Sequence, residues 1–370
     1  MQRNNAISIA KGIAIILVVI AHAEMPGMLN RAIYLFHMPL FFITAGYFFK
    51  ASTADNPWPF IVKRFKGLYI PFLKWSLFFL LIHNLLFKIG ILNEVYGNWT
   101  GGVTHPYSIH QFWQRFVNIV FSMGGYDEFL AGAFWFFRGL FVASIAFVIL
   151  YCLLNSTKLL RDRVTALPLA ICLLAFGFAL FKAGEGIRIA TLFQGGYRDT
   201  MGVLFFGVGV LYRQYENRIG HSLWLAAIGA AIVLGGAALR CTGMILNPTI
   251  RDVFTLPITG IAGWIMTYNI SFHLAKLKNI ATRFLVYCGE HTLYVFIWHV
   301  SAYKLVSLLK IWWYGLDPRQ IGCHMVIHDY AATDGFWILY TIVGVGLPLY
   351  GYYLYSTKVR PFLQSKMRRH

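Results

Sequence analysis

The feature that most constrains this chain is the recurrence of long apolar segments, each near the length of a membrane crossing. They fall near 6–24, 31–50, 67–90, 133–154, 164–182, 199–213, 220–240, 252–273, 288–309 and 335–357. A helix needs roughly 20 apolar residues to cross the ~30 Å hydrocarbon layer, and an open chain can satisfy its backbone there only as helix. The expected fold is all-α: a polytopic membrane bundle of about ten transmembrane helices, forming a single domain over 1–370 with no fused periplasmic domain. Composition supports this. The chain is 58% hydrophobic and 12% charged, about half the charge fraction of an ordinary soluble protein.

The net charge of +18 would suggest nucleic acid in a soluble chain. Its distribution points elsewhere. With the N-terminus inside, one set of short loops collects Lys50, Lys63, Arg64, Lys66, Lys158, Arg161, Arg163, Arg213, Arg218, Lys276, Lys278 and Arg283. Arg3 and the tail with Lys358, Arg360, Lys366, Arg368 and Arg369 join them. The longer opposite segments, about 91–132 and 310–334, are sparser in cations. This is the positive-inside pattern, so both termini are expected in the cytoplasm, the lipid bilayer is the partner, and no nucleic acid is expected. Arg3, the first apolar run and Ala21-His22-Ala23 imitate a cleaved signal peptide. Cleavage is rejected, because the rest of the chain is itself membrane-spanning and removing this segment would invert the charge topology.

The five cysteines show no CxxC spacing, so they read as packing residues rather than a metal or disulfide framework. His324 and His328, with Asp329 beside them, have i, i+4 spacing suited to a metal, but they sit in a loop-like stretch and no metal site is expected. Asn98-Trp99-Thr100 is a glycosylation sequon without expected use in a bacterial-looking chain. The amphipathic piece 107–123 is expected to lie along the interface.

All fourteen carboxylates lie near segment ends or in loops, which argues against an ion-coupled pump. The spans instead carry Lys11, His22, His37, Lys74, His83, Arg138, His299 and Lys304. Lys11 and His22 are eleven residues apart, about 16 Å of helical rise, and nearly share an azimuth. Two ionisable groups on one stripe suit a polar cavity rather than lipid. The topology puts Lys11 and Lys74 towards the cytoplasm and His22, His37, Arg138 and His83 towards the outside. A short turn should bring His22 and His37 together, with Glu24 the nearest carboxylate. His83 and His299 read first as structural hydrogen-bonders, and Lys304 as a side chain that snorkels to the interface.

Several motifs then occur in order. Lys11 to His22 forms a Lys-x10-His element. His37-Met-Pro-Leu-Phe-Phe-Ile-Thr-Ala-Gly-Tyr47 follows, then Lys63-Arg64-Phe-Lys66-Gly-Leu-Tyr-Ile-Pro71. Phe134-Trp135-Phe136-Phe137 comes next, and Gly289-Glu-His-Thr-Leu-Tyr294-Val-Phe-Ile-Trp-His299 last. Together they resemble the integral-membrane acyltransferase-3 family, which includes fucose 4-O-acetylase-like and O-antigen acetyltransferases. Ser8 and Ala45 stand where that family often has an acidic residue and a serine.

The resemblance implies transfer of an acyl group, usually acetyl, from cytosolic acyl-CoA to a hydroxyl of a carbohydrate or lipid-linked glycan in the bacterial cytoplasmic membrane. Acetyl-CoA would be a substrate, with no permanently bound cofactor. Lys63, Arg64 and Lys66, with Lys11 further in, are the expected contacts for the anionic donor. His22 is the expected general base, Lys11 its electrostatic partner, Arg138 the oxyanion stabiliser, and His37 an orienting or acceptor-contacting group. A covalent acyl-His intermediate is the alternative to direct transfer. Succinyl-CoA is the alternative donor, and a flippase for a lipid-linked sugar is the alternative function.

Overall fold

In the computed structural model, residues 5–97, 102–187, 196–330 and 332–367 are described. The sequon at Asn98 and the cations Arg3, Arg368 and Arg369 lie outside them. The described residues are helical or irregular, with no strand among them. We number the principal helices α1 (Asn5–Ala21), α2 (Gly27–Tyr34), α3 (His37–Tyr47), α4 (Trp58–Lys88), α5 (Ile109–Ser122), α6 (Phe129–Asn155) and α7 (Ala166–Gly184). They continue with α8 (Tyr197–Ile219), α9 (Leu223–Ala238), α10 (Ile250–Leu274), α11 (Ile280–Glu290), α12 (Thr292–Tyr314) and α13 (Phe336–Gln364).

Six of these, α4, α6, α7, α10, α12 and α13, are long and apolar enough to cross a membrane, while α1 and α9 are apolar but shorter. The expected segment 31–50 is two helices rather than one. Pro39 lies in the first turn of α3. A proline there is tolerated, but it would remove a backbone bond and clash with the carbonyl four residues earlier if the helix ran on from α2. The chain therefore turns at Leu35-Phe36, and His37 becomes the first residue of α3. The piece 107–123 is α5, opened by a capping box between Ser108 and Gln111; this reciprocal arrangement satisfies two orphan backbone donors.

Small residues let the inner helices meet at backbone distance. A Cβ on Gly12 would collide with the Leu285 carbonyl, and one on Gly289 with the Ser8 carbonyl, so α1 and α11 cross in direct contact. Gly46 meets the Phe206 carbonyl and Gly209 the Ile43 carbonyl in the same way, which locks α3 to α8. In lipid, where apolar side chains gain little by leaving their solvent, such close approach is what holds helices together. α1 is thereby placed at the centre, packed on α3, α10, α11, α12 and α13.

Candidate active site

His22 follows the last turn of α1, and its Nδ1 lies 2.7 Å from the Val18 carbonyl. A carbonyl only accepts, so Nδ1 carries the proton and Nε2 holds the lone pair. His37 makes the same i−4 bond to Ile33 at 2.8 Å. His299 does so to Val295 at 3.1 Å, shared with Phe296 at 3.0 Å. Three imidazoles are therefore held in one tautomer by the helices that carry them.

Besides His37, which lies within electrostatic reach across the short turn, His22 has neighbours from distant segments. Its ring centroid is 5.4 Å from His299 and 5.9 Å from His324. His37 stands behind Tyr34, whose ring is 5.1 Å from His37 and 6.5 Å from His22. His299 thus belongs to the cluster instead of serving only as a structural hydrogen-bonder. Its Nε2 is buried without a hydrogen-bond partner, as is Nε2 of His324.

His324 reaches the cluster because the α12–α13 connection folds inward. Lys304 does not snorkel: its buried ammonium donates to the carbonyls of Ile321 at 2.7 Å and Cys323 at 2.6 Å. Those two bonds fix the backbone just before His324. The ring of His328 instead stacks on Tyr314 at 3.9 Å, so the i, i+4 pair is split between two places. No group of three His, Cys, Asp or Glu side chains arranged to hold a metal occurs among the described residues.

Glu24 does not simply face water. It accepts from Lys310 at 2.7 Å, and Asp334 lies 2.9 Å from the same buried ammonium. Burial pushes the Glu24 carboxyl above its ordinary pKa, against the pull of Lys310. Glu24 holds this contact with φ at +55°, a left-handed conformation that side chains other than Gly and Asn seldom adopt. The turn carrying His22 is therefore clamped to α12 and to the start of α13.

Lys11 and Arg64 line a cavity of about 310 Å³ together with Ile15, Thr44, Phe137 and Phe296. Phe137 precedes Arg138, and Phe296 lies one turn from His299, so the lining of this cavity shares helices with both. Arg64 also donates to the Ala45 carbonyl at 3.4 Å and lies over the Phe60 ring. Lys63 and Lys66 are exposed and do not line the cavity.

Arg138 is fully buried, and none of its three guanidinium nitrogens has a hydrogen-bond partner. Its charged neighbours are Asp199 and Arg198. No direct contact joins it to His22. Arg198, which sequence reasoning missed, is the cation whose field reaches Tyr34; it donates to the Met244 carbonyl at 2.7 Å and packs over Trp135. The nearest sequence signal was Trp135 itself, within the aromatic motif. His83 is buried in a structural network: Nδ1 lies 2.5 Å from Asp127, Nε2 lies 2.9 Å from the His105 carbonyl, and the ring stacks on Tyr107.

A deep imidazole cluster thus stands at one end of a central helix that also contributes Lys11 to a cavity shared with Arg64. The acyltransferase-3 family, whose sequence description is an acyltransferase domain, matches residues 4–356. The chain belongs to that family, and membership carries membrane acyl transfer onto carbohydrates. No curated protein and no solved structure matches the chain.

Proposed function

We propose that this protein is an O-acetyltransferase of the bacterial cytoplasmic membrane. It would move acetyl from cytosolic acetyl-CoA to a hydroxyl of a cell-envelope polysaccharide unit or its lipid-linked precursor. The observation that carries the reading is the His22 geometry: Nδ1–H is committed to Val18, so Nε2 is the basic atom. His22 belongs to the family motif that begins at Lys11.

In this reading the bundle has about ten spans, both termini are cytoplasmic, and Lys11 and Arg64 stand at the donor's entry. Exposed Lys63 and Lys66 draw in the CoA phosphates, while the pantetheine arm threads the cavity beside Phe296. His22 Nε2 takes the proton of the acceptor hydroxyl as its oxygen attacks the thioester carbon. The negative charge that develops on the carbonyl oxygen is stabilised by the field of Arg138 and Arg198. The C–S bond then breaks, the acetyl ester forms, and the proton passes from His22 to the departing CoA sulfur. His299 and His324 pack around His22, and His37 holds Tyr34 at the site's edge.

The test uses membranes with matched levels of wild type or His22→Ala, supplied with radiolabelled acetyl-CoA and an envelope glycan. Label entering the glycan only with wild type supports the reading. Equal incorporation by both would sink the role of His22. Incorporation with succinyl-CoA alone would reassign the donor, and absence of transfer from either donor would favour the flippase.

A further inference from the structure

A second large cavity lies away from the imidazole cluster, on a lateral seam where α4 faces α12 and α13. It measures about 540 Å³, and its lining includes Lys74, Trp75, Trp298, Gly351, Tyr352 and Tyr355. The seam is bridged by ring contacts: Trp298 meets Trp75 at 5.1 Å and both Phe78 and Phe79 at 5.6 Å. Lys74 is exposed midway along the apolar helix α4. Its ammonium rests over the Trp75 ring at 4.8 Å. No carboxylate lies within ion-pair distance of it among the described residues, and it is the one charged residue of the lining.

An unpaired cation on the face of a membrane helix is costly and is ordinarily matched by a counter-charge. A cation–π contact offsets only part of that cost. The remainder calls for an anion that itself resides in the bilayer. We propose that this groove is a binding site for one anionic glycerophospholipid. The phosphate sits against Lys74 and the tyrosine hydroxyls, and an acyl chain lies along the Leu347, Pro348 and Ala302 wall. A zwitterionic headgroup fits less well, because it brings its own ammonium towards Lys74. The proposal is independent of the acetyl-transfer reading.

Native mass spectrometry of the purified protein tests it, with phosphatidylglycerol or phosphatidylcholine of identical chains as probes. Wild type is expected to retain phosphatidylglycerol preferentially. Lys74→Gln should lower that retention about five-fold, the effect of one cation near anionic lipid, and Lys74→Arg should keep it. Gly351→Trp tests the groove itself. A Cβ at Gly351 meets nothing within 4 Å, so the indole can enter the open space and displace either lipid while Lys74 is intact. Equal retention of the two lipids by wild type, or unchanged phosphatidylglycerol retention in both Lys74→Gln and Gly351→Trp, would overturn the proposal.

Discussion

His22 and His299 stand with ring centroids 5.4 Å apart, brought together by helices from opposite ends of the chain. Each donates its Nδ1 proton to a carbonyl one turn back on its own helix, so neither ring spends Nε2 on the backbone. Substituting His22 by Ala is expected to lower transfer by about 10²- to 10⁴-fold, the usual worth of a positioned base. His299→Ala should lower turnover with little change in donor KM. Initial rates at varied acetyl-CoA separate the two effects. Loss of the detergent-solubilised melting transition in either variant would instead mark a folding defect.

Lys304 ties the connection that delivers His324. Lys304→Met removes two charge-assisted bonds, to Ile321 and Cys323, and leaves those carbonyls without this donor. A loss of about 2–3 kcal/mol is expected. Hydrogen exchange should accelerate across 318–328 before it does so in α12. Uniform acceleration over the whole chain would contradict a local role.

The α1–α11 crossing has no room for a methyl group. Gly12→Ala and Gly289→Ala push against backbone carbonyls and are each expected to cost about 1–3 kcal/mol. Both should also reduce transfer, because α1 carries Lys11 and leads into His22. Gly177→Ala is the control: its Cβ meets nothing within 4 Å, and the helix should gain up to about 1 kcal/mol. Thermal unfolding of the three variants in one detergent makes the comparison.

The buried His83–Asp127 pair is expected to be structural. Asp127 also caps α6 by accepting from the backbone of Phe129 and Leu130, next to the Phe129 backbone that bonds His324. Asp127→Ala removes both the cap and the partner of a buried ring nitrogen, and should therefore destabilise by about 1–3 kcal/mol. A melting temperature equal to wild type would refute this.

One pH response follows from the surface. Hydrogen bonds from the Arg319 side chain, and one from its backbone N–H, depress the Asp317 carboxyl from 3.8 to about 2. A depressed carboxyl stabilises the fold above its unfolded pKa, and the contribution is lost as pH falls through the folded value. The contacts joining Asp317 to Arg319 and Tyr96 should therefore loosen between about pH 4 and pH 2. Asp317→Asn should abolish that response, read as acid-dependent hydrogen exchange at 315–322.

Much of this protein could be read in one dimension. Apolar length and the scarcity of charge determined a helical membrane bundle, and ordered motifs determined the family, because both are properties of contiguous residues. The Lys11–His22 spacing located the central helix for the same reason: helical geometry turns sequence distance into direction.

The composition of the site was a different matter. His299 resembled a core hydrogen-bonder and Lys304 a snorkelling side chain, while Glu24 was placed only as the carboxylate nearest His22 and His37. Their roles depend on partners far along the chain: His22 for His299, the Ile321 and Cys323 carbonyls for Lys304, and Lys310 for Glu24. His324 joins the cluster through the fold of a loop with no periodic pattern to read. Local chemistry determined which residues can bear charge or a proton within the membrane. Only the packing of helices at backbone distance decided which of them meet.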